Sequence, residues 1–149
     1  MNTASICVVR LSGYSAAMSA LSPFMATVHV ALGGAIGSVL RYQTGRFMTH
    51  WLGPQAVTTF PWATLTVNAL GSLLMGVLAG WLARHGQGGD QFRLLLGVGL
   101  LGGFTTFSAF SLDALGLWQR GDFAPAAAYI LASVLISLAA AAAGLAVAR

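Results

Sequence analysis

Charge is almost absent from this chain. Seven Arg and three Asp are its only charged side chains, with neither Lys nor Glu. A soluble domain needs a polar surface, and 7% charged residues cannot supply one, against about 25% in a typical soluble domain. Nor is this a disordered polymer, which needs low hydrophobicity and high charge, because 57% of the residues are hydrophobic. The expected class is an all-α integral membrane protein. A membrane helix needs about 20 apolar residues, so 149 residues leave room for about four or five spans at most.

Residues 1–25 differ from the rest, being rich in Ser and Ala and lacking a long apolar run. They read as an N-terminal extension ahead of a second unit, 26–149. A signal peptide with Arg10 in its n-region is one account, but its apolar stretch is weak. The preferred account is a biological start at Met25, with a mis-assigned or disordered leader before it. The first span then runs roughly from Thr27 to His50, with Arg41, Gln43 and Arg46 towards its end and a Gly33–Gly37 pair that lets another helix approach closely. Gly53-Pro54 and Thr58-Thr59 read as a loop. The second span runs from Trp62 to about Ala83, follows Pro61, and has one polar residue at its middle, Asn68. Gly86 is expected to end it, and Asp90 to cap the next helix.

The third span, from about Gln91 to Gln119, is too long. A straight helix of this length would rise about 42 Å against a hydrocarbon core of about 30 Å. Its centre reads Gly102-Gly103-Phe104-Thr105-Thr106-Phe107-Ser108, and paired glycines and threonines are poor helix formers. The expectation is four membrane helices with a break in the third. Non-helical backbone at that depth is tolerated only when buried in protein or lining a polar cavity. The fourth span, from Ala124 to Ala148, carries Tyr129, Ser133 and Ser137 at i, i+4 and i+8, a polar stripe on one face. With Met25 as the start, Arg84, Arg93 and Arg149 fall on one side of the membrane and Arg41, Arg46 and Arg120 on the other; Arg10 would make it four against three. Such balance gives the positive-inside rule little to act on and permits an antiparallel pair.

Several chemistries are disfavoured. Cys7 is alone, so it forms no intramolecular disulfide, and His29, His50 and His85 are too scattered for a metal cluster. The arginines are dispersed, which gives no nucleic-acid footprint. Gly97, Gly99 and Gly102 spell a dinucleotide fingerprint by letter only, because they lie inside a membrane span. Ser108 and Ser111 have no nearby His. Asp113 is the only acidic residue in or near a span, and no buried carboxylate of the kind a proton-coupled pump needs is evident. What the spans offer is neutral donors: Asn68, Thr64, Thr105, Thr106, Ser108, Tyr129, Ser133 and Ser137. Singly, such residues are more often packing contacts; together with a broken helix they could form a track for a small anion. Phe107 and Phe110, at i and i+3 beside the break, are core-like by spacing, or else present electropositive ring edges to an anion.

Three ordered motifs now become specific. Gly33-Gly34-Ala35-Ile36-Gly37-Ser38-Val39-Leu40-Arg41-Tyr42, Pro61-Trp62-Ala63-Thr64-Leu65-Thr66-Val67-Asn68-Ala69-Leu70-Gly71 and Gly102-Gly103-Phe104-Thr105-Thr106-Phe107-Ser108-Ala109-Phe110-Ser111 resemble the signatures of the Fluc/CrcB family of fluoride ion channels. The resemblance covers about residue 28 to the end. Ala63 stands where the family usually has Gly, and Asp113 where Glu is common; residues 1–24 have no counterpart. The resemblance implies an antiparallel dual-topology homodimer with two fluoride pathways, in the bacterial cytoplasmic (inner) membrane and surrounded by lipid. Phe107 and Phe110 would be the pore phenylalanines. Asn68 would donate to fluoride, while Ser108, Thr64, Tyr129 and Ser137 would line the polar track. Arg41 would sit near an aqueous vestibule. A structural Na⁺ at the dimer centre would be held by backbone carbonyls of Gly102 and Thr105, each contributed twice.

The implied mechanism is passive conduction. Fluoride holds its water tightly, so a pore must replace that water with fixed donors that bind favourably but not too strongly. Moving one anion across 100 mV is worth about 2.3 kcal/mol, enough to drive export from a negative cytoplasm. The rival readings are a small proton-coupled membrane transporter, which predicts dependence on a pH gradient, and a non-conducting assembly subunit, which predicts that Asn68 and Phe110 tolerate replacement.

Overall fold

The computed structural model describes residues 21–85 and 89–148. Residues 1–20, 86–88 and Arg149 lie outside them, and with them most of the leader, Cys7, Arg10 and the proposed helix stop at Gly86. Among the described residues every regular element is helical: α1 (Pro23–Leu52), α2 (Pro54–Thr59), α3 (Trp62–His85), α4 (Asp90–Phe92), a wide-turned π segment (Arg93–Leu101), α5 (Gly102–Phe104), α6 (Phe107–Gln119) and α7 (Phe123–Ala148). Four stretches are long and apolar enough to cross a membrane: Pro23–Leu52, Trp62–Arg84, Asp90–Gln119 and Phe123–Ala148.

Local chemistry moves three boundaries from where the sequence put them. Helix α1 starts ahead of Thr27 because Ser22 accepts the Met25 N–H at 3.3 Å and Pro23 occupies the first turn, where its missing N–H costs nothing. Residues 23–25, expected in the extension, are thus helical. The stretch read as a loop after Gly53 contains α2. Gly53 turns the chain at φ 82°, Pro54 opens the new helix, and the Thr58 and Thr59 hydroxyls both donate to the Gln55 carbonyl. Asp90 is not a cap; Gly89 precedes the helix, and Asp90 sits in its first turn.

Two glycine seams hold the spans together. Helices α3 and α7 run parallel, and a Cβ on Gly76 would strike the Ala141 carbonyl, while one on Gly144 would strike that of Leu73. On the other side α1 runs parallel to the π segment. There Gly33 and Gly37 lie against the carbonyls of Leu95 and Leu100, and a Cβ on Gly103 would stand 2.6 Å from the Gly34 carbonyl oxygen. Membrane helices gain little from hydrophobic burial against one another, so this backbone-to-backbone approach supplies the packing. The largest side chains removed from the surface are Tyr129, Leu117 and Val67. Tyr129 and Leu117 cluster with Leu65 and Ala126, flanked by Phe60, Phe110 and Ala114.

Candidate functional site

The site is organised by two residues that are not helical. Helix α5 ends at Phe104, Thr105 (ψ 160°) and Thr106 (φ −153°, ψ 125°) are extended, and α6 begins at Phe107. Asn68 reaches across from α3 and holds the Thr106 peptide group by both ends. Its Oδ1 accepts the Thr106 N–H at 2.8 Å, and its Nδ2 donates to the Thr106 carbonyl at 3.0 Å. In a continuous helix that N–H would bond the Gly102 carbonyl. The Ala109 N–H would likewise bond the Thr105 carbonyl, but it bonds the Thr106 hydroxyl at 3.2 Å. Side chains of Asn68 and Thr106 therefore divert the two donors that would otherwise occupy the carbonyls of Gly102 and Thr105. Arg41 of α1 approaches the same turn and donates from one guanidinium nitrogen to the Thr105 carbonyl at 3.3 Å.

Beside the turn lies a cavity of about 430 Å³ between α3, α6 and α7. Asn68, Thr105, Thr106, Phe107, Phe110, Ser133 and Ser137 line it, with apolar residues between them. No charged side chain is among its walls. The Ser133 hydroxyl is buried there without a hydrogen-bond partner. It lies close enough to the Tyr129 hydroxyl to interact with it, and because an unpaired buried hydroxyl costs about 1–3 kcal/mol, a small shift of Ser133 toward an acceptor in the cavity would be repaid. The Phe107 and Phe110 ring centroids are 5.5 Å apart, and Phe110 is 5.4 Å from Tyr129. Phe107 is 79% exposed in the single chain.

Two further cavities open at the end where α1 finishes and α3 begins. One, of about 640 Å³, is lined by Arg41, Arg46 and His50. The other, of about 310 Å³, is lined by Thr64, Asp113 and Arg120. Val57 of α2 and Ala63 belong to the walls of both. Inside the smaller one the Thr64 hydroxyl donates to Asp113 Oδ2 at 2.6 Å, and the Tyr129 hydroxyl donates to the same oxygen at 3.3 Å. Tyr129 thus joins the two regions, its ring against Phe110 and its hydroxyl on Asp113.

Of the residues singled out from sequence, Asn68, Phe107, Phe110, Ser137 and Thr105 share the first cavity. Thr64 lines the Asp113 cavity instead, and Tyr129 is fully buried between the two. Ser108 is exposed and lies 3.3 Å from the Thr106 hydroxyl. Arg41 lines the basic cavity while reaching the turn, deeper than a helix-end arginine would. Two residues carry more than the sequence assigned them. Ser133 sits on the Tyr129–Ser137 stripe, and that periodicity was its signal. Asp113 is a half-buried carboxylate within a span, and its pairing with Thr64 and Tyr129 has no local signal, because the partners are 49 and 16 residues away. The described residues contain no cluster of three or more His, Cys, Asp or Glu that could hold a metal, so a cation here would depend on backbone oxygens.

Residues 28–145 match the family described as CrcB-like protein, Camphor Resistance (CrcB). Similar proteins carry the name fluoride-specific ion channel FluC. The one from Erythrobacter litoralis is 59% identical over 133 residues, covering 89% of this chain and 98% of the relative. That from Novosphingobium aromaticivorans is 61% identical over 110 residues, covering 74% and 85%. That from Rhodospirillum centenum is 53% identical over 120 residues, covering 80% and 92%.

Proposed function

Because this chain belongs to the CrcB family, we propose that it is a multi-pass membrane channel that conducts fluoride passively, and not an enzyme. The observation that carries the reading beyond the family is a cavity walled by neutral donors and aromatic rings with no charged side chain among its walls. Fluoride is a strong acceptor that must lose water to enter. Ser133 and Ser137 offer hydroxyl protons, and the second Asn68 N–H is a further donor, since an amide has two and one is given to Thr106. Ring edges of Phe107 and Phe110 add a weak positive wall. None of these is a full positive charge, so the ion is held lightly enough to leave.

The pathway we assign runs from the Thr64–Asp113 cavity past Tyr129 and Phe110 to Ser133, Asn68 and Ser137. It is interrupted as drawn, because Thr64 and Tyr129 spend their protons on Asp113. Fluoride must take over those donors, which requires the carboxylate to turn away. Among the described residues Asp113, a carboxylate within a span, is also a feature that favours a proton-coupled transporter.

The chain acts as an antiparallel homodimer in the bacterial cytoplasmic membrane, with the turn of the third span as a mid-membrane break at the two-fold axis. The exposure of Phe107 supports this, since a second copy would cover it. The residues fit the sodium ion that the family implies. The carbonyls of Gly102 and Thr105 lose their helical N–H partners to Asn68 and Thr106. The Arg41 contact takes only one of the two lone pairs on the Thr105 oxygen. Sodium bound by these carbonyls from both copies would supply fixed positive charge and tie the turns together; Arg41, beside one of them, competes for the same oxygen.

The test is fluoride efflux from liposomes holding the purified protein. The expected result is fluoride flux far above chloride flux, driven by voltage alone. Equal chloride flux, or no flux, overturns the channel reading, and flux that requires a pH gradient favours the coupled transporter.

A further inference from the structure

We infer that Arg120 and Asp122 form an entrance charge pair that sets how fast fluoride enters the Thr64–Asp113 cavity. This rests on the fluoride-channel reading above. Arg120 lines that cavity as the C-cap of α6, seven residues beyond Asp113 and so on the same helix face, about 10 Å further out. It stands at the end of α6, where the chain turns. Gly121 takes φ 83°, its N–H bonds the Trp118 carbonyl, and the Asp122 N–H bonds the Leu117 carbonyl, both at 3.0 Å. This Schellman closure fixes where the Asp122 backbone lies relative to Arg120. Arg120 Nε lies 3.3 Å from Asp122 Oδ2, and both side chains are about half exposed, 49% and 48%. The other arm of the guanidinium donates to the Thr58 carbonyl at 2.9 Å, at the end of α2, whose Val57 and Thr58 help wall the cavity. The pair at this mouth is therefore braced by one arginine and carries no net charge, with Asp113 further in and Arg41 and Arg46 in the adjoining cavity.

A neutral mouth is a choice with two sides. Asp122→Asn leaves Arg120 and its Thr58 bond in place and makes the mouth positive. Arg120→Gln leaves Asp122 alone and makes it negative. A unit charge about 8 Å from an ion in a water-like medium changes its local concentration by about two- to threefold, and salt screens this over about 30 Å at 0.01 M and about 3 Å at 1 M. Fluoride flux through Asp122→Asn is therefore expected to rise two- to threefold above the unsubstituted protein at about 0.01 M of an impermeant salt, and flux through Arg120→Gln to fall by a similar factor. Both differences should vanish near 1 M salt. Arg120→Lys keeps the charge without the planar fork that spans Asp122 and Thr58. It should keep unsubstituted flux at low salt if charge is what matters.

The experiment is fluoride efflux from liposomes holding the unsubstituted chain and each variant, at low and high salt. Opposite, salt-sensitive shifts support the entrance pair, because misfolding cannot raise flux. Salt-independent losses in Arg120→Gln and Arg120→Lys alike, with Asp122→Asn unchanged, overturn it and leave Arg120 as a brace for α2. An unsubstituted protein that passes no fluoride at all overturns the channel reading itself.

Discussion

Replacing Asn68 by Asp changes one atom, Nδ2, which serves both the clasp on Thr106 and the proposed donation to fluoride. The variant keeps the acceptor for the Thr106 N–H, at 2.8 Å in the native clasp, and puts an oxygen where Nδ2 stood 3.0 Å from the Thr106 carbonyl. The carbonyl loses its donor, which costs about 1–3 kcal/mol in a buried site. For a chain of this size that is a fall of several degrees in Tm, about 2–4 °C per kcal/mol. The transport effect is larger. A carboxylate about 4 Å from a passing fluoride raises its energy by about 4 kcal/mol at an effective dielectric near 20. Since about 1.4 kcal/mol is tenfold, flux should fall by two to three orders of magnitude. A fluoride electrode outside protein-loaded liposomes reads the flux, and thermal unfolding in detergent reads the stability. A well-folded variant whose flux stays within threefold of the native protein would refute both the clasp and the donor role.

Three further outcomes follow from particular contacts. Phe110→Ile keeps an apolar side chain but removes the ring that faces the cavity and stacks near Phe107 and Tyr129; flux should drop at least tenfold, about 1.4 kcal/mol, with unchanged elution on size exclusion. Gly144→Val would drive a branched side chain into the Leu73 carbonyl and part the α3–α7 seam; overpacking costs about 1–3 kcal/mol or more, visible as a lower Tm or loss of folded protein. Replacing sodium by a large organic cation should lower thermal stability, and Arg41→Gln should shrink that dependence's midpoint concentration, because the guanidinium no longer competes for the Thr105 carbonyl. A sodium midpoint unchanged by Arg41→Gln speaks against competition at that oxygen.

The four membrane-crossing stretches were legible because apolar length dominates everything else in them, and no run of charges blurs their ends. Where the reading missed, a short-range bond had decided the outcome. Ser22 started α1 early, and Gly53 with Pro54 converted an apparent loop into α2. The polar residues of the site were legible as a set, because a hydroxyl or amide inside an apolar run stands out. Their partners were not. Asn68 and Thr106 are separated by 38 residues, and Thr64 and Asp113 by 49; nothing in either local sequence names the other. Thr64 therefore read as a donor with no stated partner, and its hydrogen bond to Asp113 became visible only in the folded chain.

The pairing explains how so uncharged a chain can still move a charge. Two full charges deep in the spans are engaged with the fold: Arg41 against the Thr105 carbonyl, Asp113 under the hydroxyls of Thr64 and Tyr129. The cavity beside the turn is left to groups that carry only partial charge. An arginine there would bind fluoride so strongly that exit becomes slow, and a carboxylate would exclude it. Neutral donors avoid both, but in an apolar medium they are stable only when each has a partner. Asn68 and Thr106 meet that condition by bonding the backbone of the turn, whereas Ser133, buried near Tyr129, has no hydrogen bond of full geometry. If the Ser133 hydroxyl serves the anion, a Ser133→Ala variant, which removes the donor and its cost together, should be at least as stable as the native chain while conducting less.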